Sequence, residues 1–227
     1  NSVKSIGGFA FSNNKNLESV HLPENGCTIG HRDRFGHAYG SIFDGCISLK
    51  TITIPNGLDV IDRTYTETYI SALSAPKLES VTFAKGASAI SKGSLADCPS
   101  LKLINIPDSV KSIGAYAFSG CEALESVRLP EDGCEIGAKD THGSYGFVFS
   151  GCTSLKNIAI PDGLTTSDAK NSSTWITGAL AAPALESVAI ADDASAIDSG
   201  LLANCPSLKS IDVPDSVKSI GAYAFSG

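Results

Sequence analysis

Apolar residues recur along the whole chain in one pattern: a leucine, two residues, a β-branched residue, one residue, and a third aliphatic residue. Eight such segments begin at Leu17, Leu49, Leu78, Leu101, Leu124, Leu155, Leu185 and Leu208. The second half of each segment alternates apolar and polar residues with the period of a β-strand, and β-branched residues fill its centre. Proline follows six of the eight segments, and its missing N–H ends a strand. The pattern therefore predicts one short strand in each unit.

The units repeat at two scales. Residues 110–120 read VKSIGAYAFSG and return letter for letter at 217–227, which is 107 residues later, and each such round holds four leucine segments. A period of about 20 to 50 residues is typical of a solenoid, in which each unit buries its apolar side on its neighbours. We predict a single solenoid of about eight coils over residues 1–227, with super-repeats at about 3–109 and 110–216 and a third that begins at 217. Because the chain begins and ends inside a repeat, we expect it to be part of a longer protein.

The part of each coil after the strand has its own pattern. A second apolar pair follows, such as Val110 and Ile113, and then Gly114 permits a tight corner. The stretch AYAFSGC places Phe118 in the core and is long enough for only one turn of helix. Each coil should therefore contain a strand, a corner, a short return and a second corner, with the strands of successive coils stacked in parallel.

Residues 101–124, LKLINIPDSVKSIGAYAFSGCEAL, resemble the repeat unit of the BspA-like leucine-rich repeat proteins almost throughout. That unit reads roughly L-x-x-I-x-I-P-x-x-V-x-x-I-G-x-x-A-F-x-x-C-x-x-L. The resemblance covers the whole chain, although four coils of 29 to 32 residues exceed the regular 23. It implies a leucine-rich repeat solenoid: a β-rich α/β fold with a right-handed coil of short parallel strands, irregular returns and short helical turns.

The same resemblance implies a function. Members of this family are mostly surface-exposed or secreted proteins of host-associated bacteria and some protists, and several are linked to adhesion. The chain is therefore expected to be a non-catalytic protein-binding or adhesion module at the cell surface or outside the cell. Its partner would be a host or microbial surface protein, extracellular matrix proteins included. Two alternatives remain open: a structural stalk without its own ligand, and a carbohydrate-binding module.

Composition and motifs exclude several other classes. The net charge of −7 disfavours nucleic-acid binding, which needs clustered Lys and Arg. The sequence contains no apolar run of about 18 residues, no nucleophile elbow, no P-loop and no dinucleotide fingerprint. His31, Asp33 and His37 have the spacing of a metal site, yet the second round has Ala138 and Gly143 where the histidines stand. We expect no membrane segment, no enzyme activity, no cofactor and no metal.

The seven cysteines follow the repeat. Five stand three residues before a repeat leucine, namely Cys46, Cys98, Cys121, Cys152 and Cys205. Cys27 and Cys134 instead occupy a position that valine holds in the family. Buried thiols that pack as small hydrophobes are the favoured interpretation. Disulfides from Cys27 to Cys46 and from Cys134 to Cys152 stay open as an alternative for an oxidising compartment.

The second residue of each strand segment alternates in charge along the array. The series is Glu18, Lys50, Glu79, Lys102, Glu125, Lys156, Glu186 and Lys209. Neighbouring parallel strands lie about 5 Å apart, so alternation replaces repulsion with attraction between successive coils. Support of the strand register is favoured over ligand binding as the role of this row.

The four long coils carry their extra residues after the second apolar pair. These insertions contain five of the seven Tyr and Trp residues, and binding hot spots are enriched in Tyr, Trp and Arg. The candidate partner-binding residues are Arg34, Phe35, Tyr39, Arg63, Tyr65, Tyr69, Tyr145 and Trp175. An equally weighted alternative is that the rings cover core exposed where a coil widens. We expect the insertions, rather than the exposed positions on the strands, to carry the affinity for a partner.

Overall fold

The computed structural model describes residues 3–24, 26–32, 38–39, 41–60, 71–138, 146–166 and 178–227. Within these ranges the chain forms nineteen short strands, numbered β1 to β19 in chain order, and no helix. Eight of the strands lie in the leucine segments, as the alternation of apolar and polar residues predicts. They are β2 (Ser19–His21), β6 (Thr51–Ile54), β8 (Ser80–Phe83), β10 (Leu103–Asn105), β12 (Ser126–Arg128), β14 (Asn157–Ile160), β16 (Ser187–Ile190) and β18 (Ser210–Ile211).

A second row of strands forms where the second apolar pair occurs in each coil. Its members are β1 (Ser5–Ile6), β3 (Thr28–Ile29), β7 (Asp59–Val60), β9 (Ala89–Ile90), β11 (Ser112–Gly114), β13 (Glu135–Ala138), β15 (Thr165–Thr166), β17 (Ala196–Ile197) and β19 (Ser219–Ile220). The remaining two strands, β4 (His31–Arg32) and β5 (Ala38–Tyr39), pair with each other in antiparallel orientation.

Strands of neighbouring coils pair in parallel within sheets of two to four strands. In the first row, Ile104 of β10 stands opposite Val127 of β12, and Ile158 of β14 stands opposite Val188 of β16. The second row pairs in the same way, with Ile113 of β11 opposite Ile136 of β13. Equivalent residues of each coil therefore form columns that run along the array, which is the arrangement of a leucine-rich repeat solenoid.

The columns place the apolar side of each coil in one continuous core. The repeat leucines from Leu49 to Leu185 are almost fully buried, as are the central strand residues such as Ile104. Phe118 and Phe149 are fully buried, and their rings stack with centroids 5.6 Å apart. Because each side chain packs on its equivalent in the next coil, the stability of a coil depends on its neighbours.

The short helical turn expected over Ala115–Cys121 is absent from the structure, which has consecutive hydrogen-bonded turns there. Tyr116 takes a φ of 59°, a left-handed conformation that interrupts a right-handed helix. The N–H of Phe118 donates to the Val148 carbonyl of the next coil at 3.1 Å, whereas the N–H of Ser119 donates back to Tyr116 at 3.1 Å. Alternate backbone groups thus bond between coils, which a helix would prevent.

The alternating charges pair between neighbouring coils. Lys50 lies 3.4 Å from Glu79, and Glu186 lies between two lysines, 3.7 Å from Lys156 and in contact with Lys209. The hydrogen bond from Lys209 lowers the pKa of Glu186. The lysines and Glu79 are largely exposed and Glu186 is 36% exposed, so water and salt screen their attraction. The row supports the register of the strands rather than providing most of the stability.

Candidate binding surfaces

The eight candidate partner-binding residues lie outside the described residues, apart from the backbone of Tyr39. That backbone belongs to β5 and pairs with His31 of β4. Their role in binding therefore stays a prediction from the sequence.

The cysteines lie inside the core as free thiols. All seven are buried, and four of the five thiols that precede a repeat leucine donate hydrogen bonds to carbonyls of the preceding coil, whereas Cys98 donates to the Ala96 carbonyl of its own coil. Cys121 Sγ lies 3.2 Å from the Leu95 oxygen, and Cys152 Sγ lies 3.2 Å from the Phe118 oxygen. In the first coil Asn14 occupies this position and donates to a backbone carbonyl. Small side chains fill this column: the thiols and Asn14 donate hydrogen bonds, whereas the buried Ala75 and Ala182 hold the same position without a donor.

Burial favours the protonated form of several of these thiols. It raises the pKa of Cys134 to about 11, and it also raises the pKa of Cys152. A hydrogen bond with Cys121, followed by burial, raises the pKa of Cys98. Since the thiolate is the reactive form, these cysteines are poorly suited to nucleophilic catalysis or metal binding.

We expect the seven thiols to react slowly with a thiol reagent such as Ellman's reagent in native protein at pH 8, and all seven to react in denaturant. In the unfolded chain a thiol ionises near 9.0, whereas folded Cys134 ionises near 11, so its stabilising contribution is complete below pH 9 and declines as pH rises towards 11. Thermal melts across that pH range measure the decline. A large loss of melting temperature on reduction with dithiothreitol at pH 8 would instead indicate disulfides.

A groove opens on the exposed face of the strands in the second round of the repeat. It spans β12, β14 and β16 and has a volume of about 540 Å³. Ala159 and Ala189, which stand opposite each other in the parallel pair, form part of its floor. Their side chains point away from the core and end at the β-carbon. The groove therefore exists because two neighbouring outward positions carry methyl groups.

Charged side chains border this floor. Glu131, Asp162 and Asp193 line the groove from the turns that follow three consecutive strands, and Arg128 lines it from the end of β12. We call the surface formed by these four residues with Ala159 and Ala189 the acidic groove. It combines an apolar floor with charges at its edge, the composition common in ligand-binding clefts.

The arginine at the edge is held in place by acceptors. Arg128 Nη2 lies 3.1 Å from Asp108 Oδ1 and 2.8 Å from Glu131 Oε1, and its Nη1 donates to the Ile106 carbonyl at 3.1 Å. The backbone N–H of Glu131, followed by the Arg128 guanidinium, lowers the pKa of Asp108. Two carboxylates thus share one guanidinium, and the positive charge is already matched within the chain.

Asp162 is also held by its neighbours. Its Oδ1 accepts hydrogen bonds from the Ser195 backbone N–H at 2.9 Å and from the Ser195 hydroxyl at 3.1 Å. These bonds, the backbone one first, lower the pKa of Asp162, so the side chain is a carboxylate at neutral pH. With Asp108 and Asp193 included, one positive and four negative charges surround the floor, an excess of three negative charges.

This surface is not among the sites predicted from the sequence, because that prediction places partner binding in the insertions rather than on the strands. A signal was present in the comparison of the two rounds: Ala159 and Ala189 stand where the first round has Thr53 and Thr82. In the first round the two threonine hydroxyls lie 2.9 Å apart and bond across the strands. The second round has lost this hydrogen bond at the position where the groove opens.

Two features are absent from the part of the chain that the structure describes: a metal-binding cluster of side chains and a membrane-spanning helix. No group of three or more His, Cys, Asp or Glu side chains there has the arrangement needed to hold a metal ion. In the same residues, no helix has the length and hydropathy needed to cross a membrane.

Comparison with known families identifies the repeat. The family model described as BspA type leucine-rich repeat region (6 copies) matches residues 1–63, 38–139, 66–170 and 145–227, which together cover the whole chain. The chain belongs to the BspA-type leucine-rich repeat family. The resemblance found in residues 101–124 is thereby confirmed. No curated protein shows significant similarity to this BspA-type chain.

Three solved structures of repeat proteins are similar to this BspA-type chain to different degrees. A leucine-rich repeat protein from Eubacterium ventriosum is 19% identical with a TM-score of 0.51, covering 99% of this chain and 68% of that protein. The leucine-rich repeat protein of T. pallidum is 18% identical with a TM-score of 0.47, covering 96% and 77%. A leucine-rich cell surface protein from Faecalibacterium prausnitzii is 20% identical with a TM-score of 0.44, and the match covers 91% of this chain and 62% of that protein. At these identities the likeness concerns the fold alone.

Proposed function

We propose that this chain is a non-catalytic protein-binding module that mediates adhesion as part of a cell-surface or secreted protein. Its partner is a protein on a host or microbial surface, extracellular matrix proteins included. The observation that supports the proposal most directly is the acidic groove, an open apolar floor with charged edges on an otherwise stacked array. Repeat proteins commonly bind other molecules through such extended surfaces.

The chemistry of the groove favours binding over catalysis. The residues that line it include no serine, cysteine, histidine or lysine, so carboxylates are the only common nucleophiles among them. The seven thiols are buried, and burial raises the pKa of Cys134 and Cys152, which disfavours a nucleophilic role. A location at the cell surface agrees with the description of the F. prausnitzii protein as a cell surface protein.

A binding panel tests the proposal. The whole chain would be applied to immobilised extracellular matrix proteins, to intact microbial and host cells, and to a glycan array. Saturable binding to a protein, abolished by protease treatment of the target, is the expected result. Binding to glycans alone would favour the carbohydrate-binding alternative. No binding to any target would favour the stalk and contradict the proposal.

The insertions of the long coils are proposed to contribute aromatic contacts to this binding. Replacing Tyr65 and Tyr69 together with alanine should weaken partner binding by about 2 kcal/mol or more, the loss typical of hot-spot aromatics. The matched control replaces Thr53 and Asn105, two outward strand residues, with alanine and should have a smaller effect. Surface plasmon resonance on the partner found in the panel measures both. A larger effect from the control variant would contradict the role of the insertions.

A further inference from the structure

The two rounds of the repeat are near copies, yet they differ sharply at the acidic groove. The core positions keep their character: Ile52 corresponds to Ile158, and Val81 corresponds to Val188. The outward positions do not, because two threonines of the first round are the floor alanines of the second. The inward positions stay apolar, although Ile190 replaces Phe83, so the loss of the two hydroxyl groups on the solvent side is not explained by stacking.

The edge of the groove differs in charge as well. Asp162 and Asp193 stand where the first round has Asn56 and Gly86. The neighbouring Asp192 stands where the first round has Lys85. These three positions sum to +1 in the first round and −3 in the second, a difference of four charges over three residues. The second round has therefore gained an apolar floor and a negative edge together.

We propose that the acidic groove binds an extended basic segment of a partner protein, in which lysine or arginine residues flank a small apolar residue. This inference rests on the proposed protein-binding function and names the chemistry of its partner. The small apolar side chain packs on Ala159 and Ala189, and the flanking cations pair with Asp162 and Asp193. Since Arg128 is already matched by Asp108 and Glu131, the uncompensated charge of the surface is negative.

The dimensions of the groove fit such a segment. Paired parallel strands such as β14 and β16 lie about 4.8 Å apart, and β12 lies beside β14 outside their sheet, so the three strands span about 10 Å or more. An extended chain covers this length with about three residues at about 3.3 Å each. Long lysine and arginine side chains can place their aliphatic stems on the apolar floor while their charges reach the carboxylates.

The apolar floor also argues for a peptide over other cations. A metal ion or a polyamine would be attracted by the carboxylates but would gain little from the methyl groups of the floor. A nucleic acid carries the same sign of charge as the edge and would be repelled. The combination of methyl groups and carboxylates is complementary to a segment that is both apolar and basic.

The probe is a fluorescent, terminally blocked peptide of alternating lysine and alanine, followed by fluorescence anisotropy at low salt. We expect saturable binding that weakens as salt rises, and little binding of the same peptide with glutamate for lysine. The double substitution Asp162→Asn and Asp193→Asn should weaken binding by about tenfold. Asparagine at position 162 should be compatible with the fold. In the first round the equivalent residue is Asn56, and it accepts a hydrogen bond from Ser88, the equivalent of Ser195.

Two further variants separate specific binding from general attraction. Ala159→Thr with Ala189→Thr restores the threonine pair of the first round without changing charge, and it should weaken binding by about fivefold through loss of the floor. Glu24→Gln with Asp44→Asn removes two negative charges away from the groove and should leave the affinity nearly unchanged. Thermal melts check that each variant keeps the fold.

Defined results overturn the inference. The inference is wrong if the Asp162/Asp193 variant binds the lysine peptide as tightly as the Glu24/Asp44 control does. It is also wrong if the threonine pair leaves the affinity unchanged, or if the unmodified chain does not bind the lysine peptide. If spermidine bound as tightly as the lysine peptide, charge alone would account for binding, and this result would also overturn the inference. If the chain binds a protein in the panel while the groove variants leave that binding unchanged, this inference fails and the proposed function stands. If the chain binds no protein at all, the proposed function itself fails.

Discussion

Replacing Phe118 with alanine should lower the free energy of unfolding by about 3 to 5 kcal/mol, the usual cost of removing a buried aromatic ring. The ring is fully buried and stacks on Phe149 at a centroid distance of 5.6 Å, so its loss leaves a cavity between two coils. Because coils are stabilised only by their neighbours, the damage should also reduce the coupling between the two halves of the array. Urea denaturation followed by circular dichroism should show a lower midpoint and a broader transition.

The control for this variant is Leu103→Ala. Leu103 is also a large apolar residue of a central coil, but it is 47% exposed on the outward face of β10. Its replacement should change the free energy of unfolding by about 0.5 kcal/mol or less, as for most surface positions. Similar losses for the two variants would mean that the aromatic column does not hold the coils together.

Replacing Gly133 with alanine should destabilise the protein through two separate effects. Gly133 has a φ of 70°, where an alanine costs about 1 to 2 kcal/mol. A β-carbon there would also lie 2.2 Å from the Gly163 carbonyl carbon and 2.4 Å from the Asp162 oxygen of the next coil. Backbone atoms cannot yield as a flexible side chain would, so this overlap should add about 1 to 3 kcal/mol. The measurement is the free energy of unfolding from urea titration.

Gly57 supplies the matched control within the same chain. Its φ of 68° is nearly that of Gly133, but a β-carbon there would have no atom within 4 Å. Gly57→Ala therefore reports the backbone cost alone, and the difference between the two variants reports the close approach of successive coils. Equal losses would show that the coils separate enough at Gly133 to accept a methyl group.

The strands and their stacking could be predicted from the sequence because their cause is local and repeated. A buried residue such as Ile104 is flanked by outward residues Leu103 and Asn105, and this alternation needs no knowledge of the rest of the chain. The repeat then predicts that equivalent residues stack. The resemblance to the BspA-type family depends on the same repeated positions, and the match of the family model to the whole chain confirms it.

The turn around Tyr116 could not be predicted in the same way. Local propensity disfavours a φ of 59° for a tyrosine, so the sequence pattern favoured a turn of helix. The hydrogen bond from Phe118 to the Val148 carbonyl of the next coil offsets the local cost. The partner of that bond lies 30 residues away in sequence, and only the stacked structure brings it near.

By itself the sequence determined the solenoid, the parallel strands, the buried cysteines and the family, because each depends on periodic burial that is visible in one unit. The tertiary structure decided where the array has an open surface. Ala159 and Ala189 are ordinary small residues in the sequence, and they form a groove only because their coils stack and carboxylates of three turns border them. A cavity depends on the space that neighbouring side chains leave empty, and that space is a property of the assembled coils rather than of any one residue.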